Sequence, residues 1–94
     1  MSFLLKDPSA VLDYAIDWGA EYLVEGELLA TSEWSVVPDE AGGVAVVGSD
    51  FDAATSTVRA GGGTAGRLYS LVNRITTASG RTDERSIVVR VENR

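Results

Sequence analysis

The sequence predicts an all-β fold, an antiparallel sandwich of about seven short strands. Turn signals recur at short intervals: "KDP" at 6–8, "WGAE" at 18–21, "VEGE" at 24–27, "PDEAGG" at 38–43, "GSDFD" at 48–52, "AGGGTAG" at 60–66 and "SGRTD" at 79–83. The stretches between them are too short for most helices and alternate with a period of two. The chain has 94 residues, 45% of them hydrophobic and 23% charged, which is the composition of a folded domain. Its length fits one domain over 1–94.

The first element is contested. In "DPSAVLDYAIDW" (7–18), Asp7 could cap a helix with Pro8 at its first position, and Val11, Leu12, Ala15 and Ile16 stand at helical spacing. Leu12, Tyr14, Ile16 and Trp18 alternate with Asp13, Ala15, Asp17 and Gly19 more cleanly, so a strand is expected. In "ELLATSEWSVV" (27–37), Leu28, Ala30, Ser32, Trp34 and Val36 fall on one face, with Glu27 and Glu33 on the other. "GVAVVG" (43–48) reads as a short strand, and "TSTVRA" (55–60) alternates Thr55, Thr57 and Arg59 with Ser56, Val58 and Ala60.

The two longest strands are "RLYSLVNRITTA" (67–78) and "RSIVVRVEN" (85–93). Tyr69, Leu71 and Ile75 share one face, and Ile87, Val89 and Val91 can pack inward with them, leaving Arg74 and Arg90 on the opposite side. "SGRTD" then joins an antiparallel pair, with Gly80 open to positive φ and Ser79 and Asp83 able to bond nearby backbone. Tyr69 follows the glycine-rich loop at the start of the penultimate strand. A tyrosine corner occupies that place in immunoglobulin-like sandwiches, so an immunoglobulin-like arrangement is expected.

Several function classes are weakened at once. The chain has no cysteine and no histidine, which removes disulfides, thiolate metal sites, the commonest general base and the usual partner of a nucleophile. The apolar patch in "MSFLLKDPSA" is too short for a secretory signal, and no apolar run approaches a membrane span. Synthesis in the cytoplasm and no membrane partner are expected. The net charge of −6 argues against nucleic acid as a partner. It is unevenly placed: residues 1–52 hold eleven acids against Lys6, and residues 53–94 hold seven arginines against three acids. Two charged faces that orient docking would follow if the halves stay apart, and mutual neutralisation if their strands interleave.

The motifs with possible chemistry are weak. "GGGTAGR" (61–67) has the glycine spacing of a phosphate loop, but Arg67 and Leu68 stand where Lys and Ser or Thr are needed. Asp50 and Asp52 could begin a calcium site, yet no EF-hand spacing follows, so no metal is expected and no cofactor. Trp18 and Trp34 on apolar faces read as core. "TDER" (82–85), with Arg81 and Arg85, suits turn ion pairs or an exposed docking tip.

Three segments in order carry a resemblance: "DPSAVLDYAIDW", "SEWSV", and the run "GGTAGRLYSLVNRITTASGRTDERSIVVRV" from 62 to 91. Together they resemble the small fibre-tail adaptor proteins, also called head-tail or tail-associated proteins, of tailed phages and prophages. The sequence departs from that pattern in "TSTVRAGGG", where Arg59 and Ala60 stand in place of a bulky apolar residue before the glycines. The resemblance implies a β-sandwich that joins virion parts without catalysis, as a virion component whose partners are other phage structural proteins, with copies forming a homo-oligomer or ring.

The expected contact residues are Asp39, Glu40, Asp50 and Asp52 in the acidic 38–52 region, and Arg81, Asp83, Glu84 and Arg85 at the hairpin tip. A carbohydrate- or peptide-binding module with Trp18, Tyr22 and Trp34 as an aromatic platform is the alternative. An aspartate-based hydrolase ranks last.

Overall fold

The computed structural model describes residues 3–93. Met1, Ser2 and Arg94, which entered the N-terminal and charge readings above, lie outside the described residues, as does the side chain of Glu21. The elements are β1 (Leu4–Lys6), β2 (Leu12–Asp17), α1 (Trp18–Glu21), β3 (Leu29–Val37), β4 (Val44–Phe51), β5 (Thr55–Gly62), β6 (Leu68–Thr77) and β7 (Thr82–Val91). They form a four-stranded sheet in the order β1-β7-β6-β3 and a three-stranded sheet in the order β2-β5-β4. The pairs are antiparallel except β1 with β7, which is parallel. The all-β class is as expected. In an immunoglobulin constant-type sandwich the second, fifth and fourth strands likewise face the third, sixth and seventh; the difference lies in β1, which joins β7 instead of extending the sheet of β2.

The core follows from alternation. Val58 and Ala60 of β5, Tyr69, Leu71 and Ile75 of β6, and Val89 and Val91 of β7 are all buried. Val44, Val58, Ala60, Tyr69, Leu71, Val89 and Val91 form one cluster, and Ile16, Trp18, Leu29 and Ile75 another; Trp34 and Ile87 touch both and join them. Buried polar groups stitch the two sheets together. Asn73 on β6 accepts from Trp18 Nε1 at 2.9 Å and donates to Ser32 Oγ and to the Glu33 carbonyl at 2.9 and 3.0 Å. Ser56 on β5 accepts from Trp34 Nε1 at 2.9 Å and shares a 2.6 Å bond with Ser32. Each tryptophan therefore satisfies its single donor, with Trp18 fully buried and Trp34 half-buried.

The expected tyrosine corner is present. The Tyr69 hydroxyl accepts the backbone N–H of Thr64 at 3.0 Å, tying the glycine-rich loop to β6. Gly80 takes φ +93° in the β6–β7 turn.

Four expectations need correction. The strand expected through Trp18 ends at Asp17, whose carboxylate accepts the Ala20 N–H at 3.1 Å and caps the single turn of α1. Trp18 stays inward nonetheless. In β3 the inward residues at its start are not Leu28 and Ala30. The register shifts between Leu29 and Thr31, so Ala30 is the extra residue of a bulge, Leu29 is 7% exposed and Leu28 is 51% exposed. "GSDFD" is not a turn: β4 continues to Phe51, and the turn begins at Asp52. An edge strand needs no second partner for its outward N–H groups, so it tolerates the glycine and aspartate there. Finally, β7 begins at Thr82, which places Asp83, Glu84 and Arg85 on a strand instead of at the tip. The apolar segment before the "KDP" turn, to which the sequence reading assigns no element, forms β1. Buried Lys6 ends it by donating to the carbonyls of Asp7 at 3.0 Å and Gly62 at 2.6 Å, and burial pulls its ammonium pKa down.

Candidate protein interface

The expected contact residues do not form one site. Asp39 and Glu40 follow Pro38 at the β3–β4 turn, at the end of the sandwich where Thr64 Oγ1 donates to the Gly42 carbonyl. Glu40 accepts from Arg67 there at 2.9 Å. Asp50 and Asp52 stand at the other end of β4. Asp52 accepts the N–H groups of Ala54 and Thr55 at 2.9 and 2.8 Å, which holds its carboxyl below the usual range and shapes the turn into β5. The Asp50 side chain accepts the Phe51 N–H at 2.8 Å. Glu84 accepts from Arg74 across the β6–β7 pair at 3.2 Å, and Asp83 accepts the Glu84 N–H at 2.7 Å. The Arg85 guanidinium lies 4.8 Å over the Trp18 ring. Among the described residues, no three Asp or Glu side chains gather as a metal site would require.

Arg81 is committed inside the fold. Its guanidinium grips both oxygens of Glu27, donating from Nε at 2.9 Å and from Nη2 to Oε1, while Ser79 Oγ donates to Glu27 Oε2 and the Val24 N–H donates to Oε1 at 3.2 Å. Only 2% of the Glu27 side chain is exposed, and these bonds, the one to Arg81 foremost, hold its carboxyl far below the usual carboxylate range. Arg81 also stacks 4.3 Å over Tyr22, whose ring meets Trp18 edge-on at 5.3 Å. This latch binds the segment between α1 and β3 to the β6–β7 turn. It also removes the aromatic platform of the alternative reading, since Trp18 is buried and Tyr22 is covered by Arg81.

The outer faces of the two sheets differ in kind. On the three-stranded sheet, Asp13 and Asp50 stand with Arg59, which bonds Asp13 at 2.9 Å, around a shallow groove floored by Gly48 and Thr57, and Asp17 lies farther along the same face opposite Thr55. On the four-stranded sheet the register lines up outward residues in rows. Leu68, Arg90 and Leu5 form one row; Val37, Ser70 and Val88 the next, with Phe3 beside Val88; and Ser35, Val72 and Ser86 a third. Glu33, Arg74 and Glu84 follow, and close the patch with charge. The upper three rows are apolar or hydroxyl-bearing apart from Arg90, which pairs with Glu92. Val37 is 58% exposed and Leu68 43%. A contiguous, nearly uncharged sheet face of this kind is what a protein contact covers.

Comparison with known families bears on the same chain. The family model described as podophage GP4 fiber-tail adaptor protein gp77 matches residues 6–90. The chain belongs to this adaptor family. No curated protein matches it. The match takes in Val37, Leu68, Val72 and Val88 of the outer face, and Phe3 and Leu5 lie before it. The adaptor family is a structural one, and it agrees with the resemblance carried by residues 7–18, 32–36 and 62–91.

A reading for charged tips passes over the outer face, although one signal for it stands in the sequence: Leu68, Ser70 and Val72 alternate with the core residues of β6, and Ser86 and Val88 with those of β7, so each strand carries an uncharged stretch on its outward side as well.

Proposed function

We propose that this chain is a non-enzymatic structural adaptor of a phage or prophage virion, joining tail, fibre or head-tail parts through protein–protein contacts, with the outer face of the four-stranded sheet as its main contact surface. The observation that carries the proposal is the block of three outward rows, Leu5–Leu68, Phe3–Val37 and Ser35–Ser86, on a rigid four-stranded support. Family membership supports the adaptor role. The carboxylates best placed for chemistry are already used by the fold, Glu27 in the latch and Asp52 in its turn, which supports the non-enzymatic reading. Asp39 and Glu40 flank this face near Val37, whereas Asp50 and Asp52 serve at most a second contact at the far end. A 94-residue chain offers limited surface, so copies repeated around a symmetric particle, as a ring or by separate attachment, supply avidity.

The test is composition of the particle. Purified virions from a phage lysate or an induced lysogen, banded on a density gradient, should contain this chain at a few copies per particle relative to the major tail subunit. Its absence from intact particles overturns the role.

A further inference from the structure

We infer that the occupant of the four-stranded outer face is a different protein that presents an apolar centre and a lysine- or arginine-bearing rim, and not a second copy of this chain. The inference rests on the adaptor reading above and adds the chemistry of the partner. Charge complementarity selects the occupant. Among the described residues the arginines are taken up internally: Arg59 by Asp13, Arg67 by Glu40, Arg74 by Glu84, Arg81 by Glu27 and Arg90 by Glu92, with Arg85 over Trp18 and Lys6 buried against carbonyls.

The acids at the β3 side of the face have no such partner. Glu33 lies opposite Arg74, but Arg74 bonds Glu84 on its other side. Asp39 is exposed and shares a groove with Ser35, at the border of the third row. The apolar patch is thus rimmed by uncompensated negative charge, on a chain of net charge −6. A second copy would bring acidic rim and acidic body against their like, and among its described residues every cation already has an internal partner. A heterologous partner with cations around an aliphatic centre satisfies both parts of the surface at once.

The test uses the full-length chain and, as probe, tail particles assembled from a phage or prophage whose copy of this coding sequence is disrupted. The chain alone should sediment as a monomer and bind these particles, less tightly as salt is raised. Glu33→Lys with Asp39→Lys should weaken that binding about tenfold and flatten its salt dependence. Val37→Ser with Leu68→Ser should weaken it at every salt concentration. Circular dichroism and the unfolding midpoint confirm that each variant is folded. A dimer that the Val37–Leu68 pair of changes dissolves would mean that a second copy covers the face, and overturns the inference. Binding that neither pair of changes alters overturns it too, while leaving the adaptor role in place. A chain that binds no such particle removes the adaptor reading itself.

Discussion

Two tyrosines show how the same side chain is used in opposite ways. The Tyr69 hydroxyl satisfies the Thr64 N–H, so Tyr69→Phe leaves a partly buried donor bare and should cost about 1 kcal/mol in urea unfolding. Tyr14 buries its hydroxyl with no partner, and burial pushes its pKa up. Tyr14→Phe should therefore be neutral, or stabilise by up to about 1 kcal/mol in the same measurement. The two glycines that matter most for chain direction separate backbone strain from collision. Gly80 has φ +93° and open space where a Cβ would point, so Gly80→Ala should cost about 1 kcal/mol. Gly63 has φ +116°, and a Cβ there would stand 2.6 Å from Val91 Cγ2, so Gly63→Ala should cost clearly more. Tyr69 and Gly80 were legible because each sits beside a local turn signal. The fate of the Tyr14 oxygen was not, since alternation tells which way a residue faces and nothing of what its last atom meets.

Among the elements, the segment between α1 and β3 depends most on one contact. Glu27→Gln replaces a carboxylate bound by Arg81, Ser79 and the Val24 N–H with a neutral amide, so the thermal midpoint at pH 7 should fall. The same group sets a pH dependence. Its folded pKa lies far below the ordinary 4.5, so the folded state holds that proton less readily than the unfolded chain does. Its contribution to stability is complete above about pH 4.5 and is lost as the pH falls from there towards the folded value. The difference in midpoint between the native chain and Glu27→Gln, followed by calorimetry from pH 7 to 3, should be constant down to about pH 5 and then shrink. None of this was visible in the sequence, because Arg81 and Glu27 are 54 residues apart and Glu27 had been placed on an outward face. The bulge at Ala30 is what reversed that phase.

Across the whole molecule, the charge asymmetry of the two halves of the chain is mostly consumed. Arg59, Arg67 and Arg81 from the second half pair with Asp13, Glu40 and Glu27 from the first, as strands from both halves lie side by side. The described residues present no basic face. Instead they leave one acidic outer sheet face and one apolar one, and the apolar one has the character of a contact. Val37→Ser with Leu68→Ser touches only exposed positions, so each change should alter stability by no more than about 0.5 kcal/mol. Incorporation into particles during infection should nevertheless fall, as quantified by peptide counting against the major tail subunit.

The sequence by itself determined the all-β class, the alternation of β5, the inward faces of β6 and β7, the Gly80 turn and the tyrosine corner. Each of these is written in a two-residue period or in a turn of a few residues, and so is local. It also carried the family resemblance. Only the tertiary structure decided that β1 runs parallel on β7, that bulges shift the phase of β3 and β4, and that Glu27 closes on Arg81. It alone assembled Leu5, Leu68, Val37, Val72 and Val88 into one face. Those residues come from four strands, of which only β6 and β7 are consecutive in the chain, and the other strand neighbours are chosen by packing across the sandwich, which no local period records.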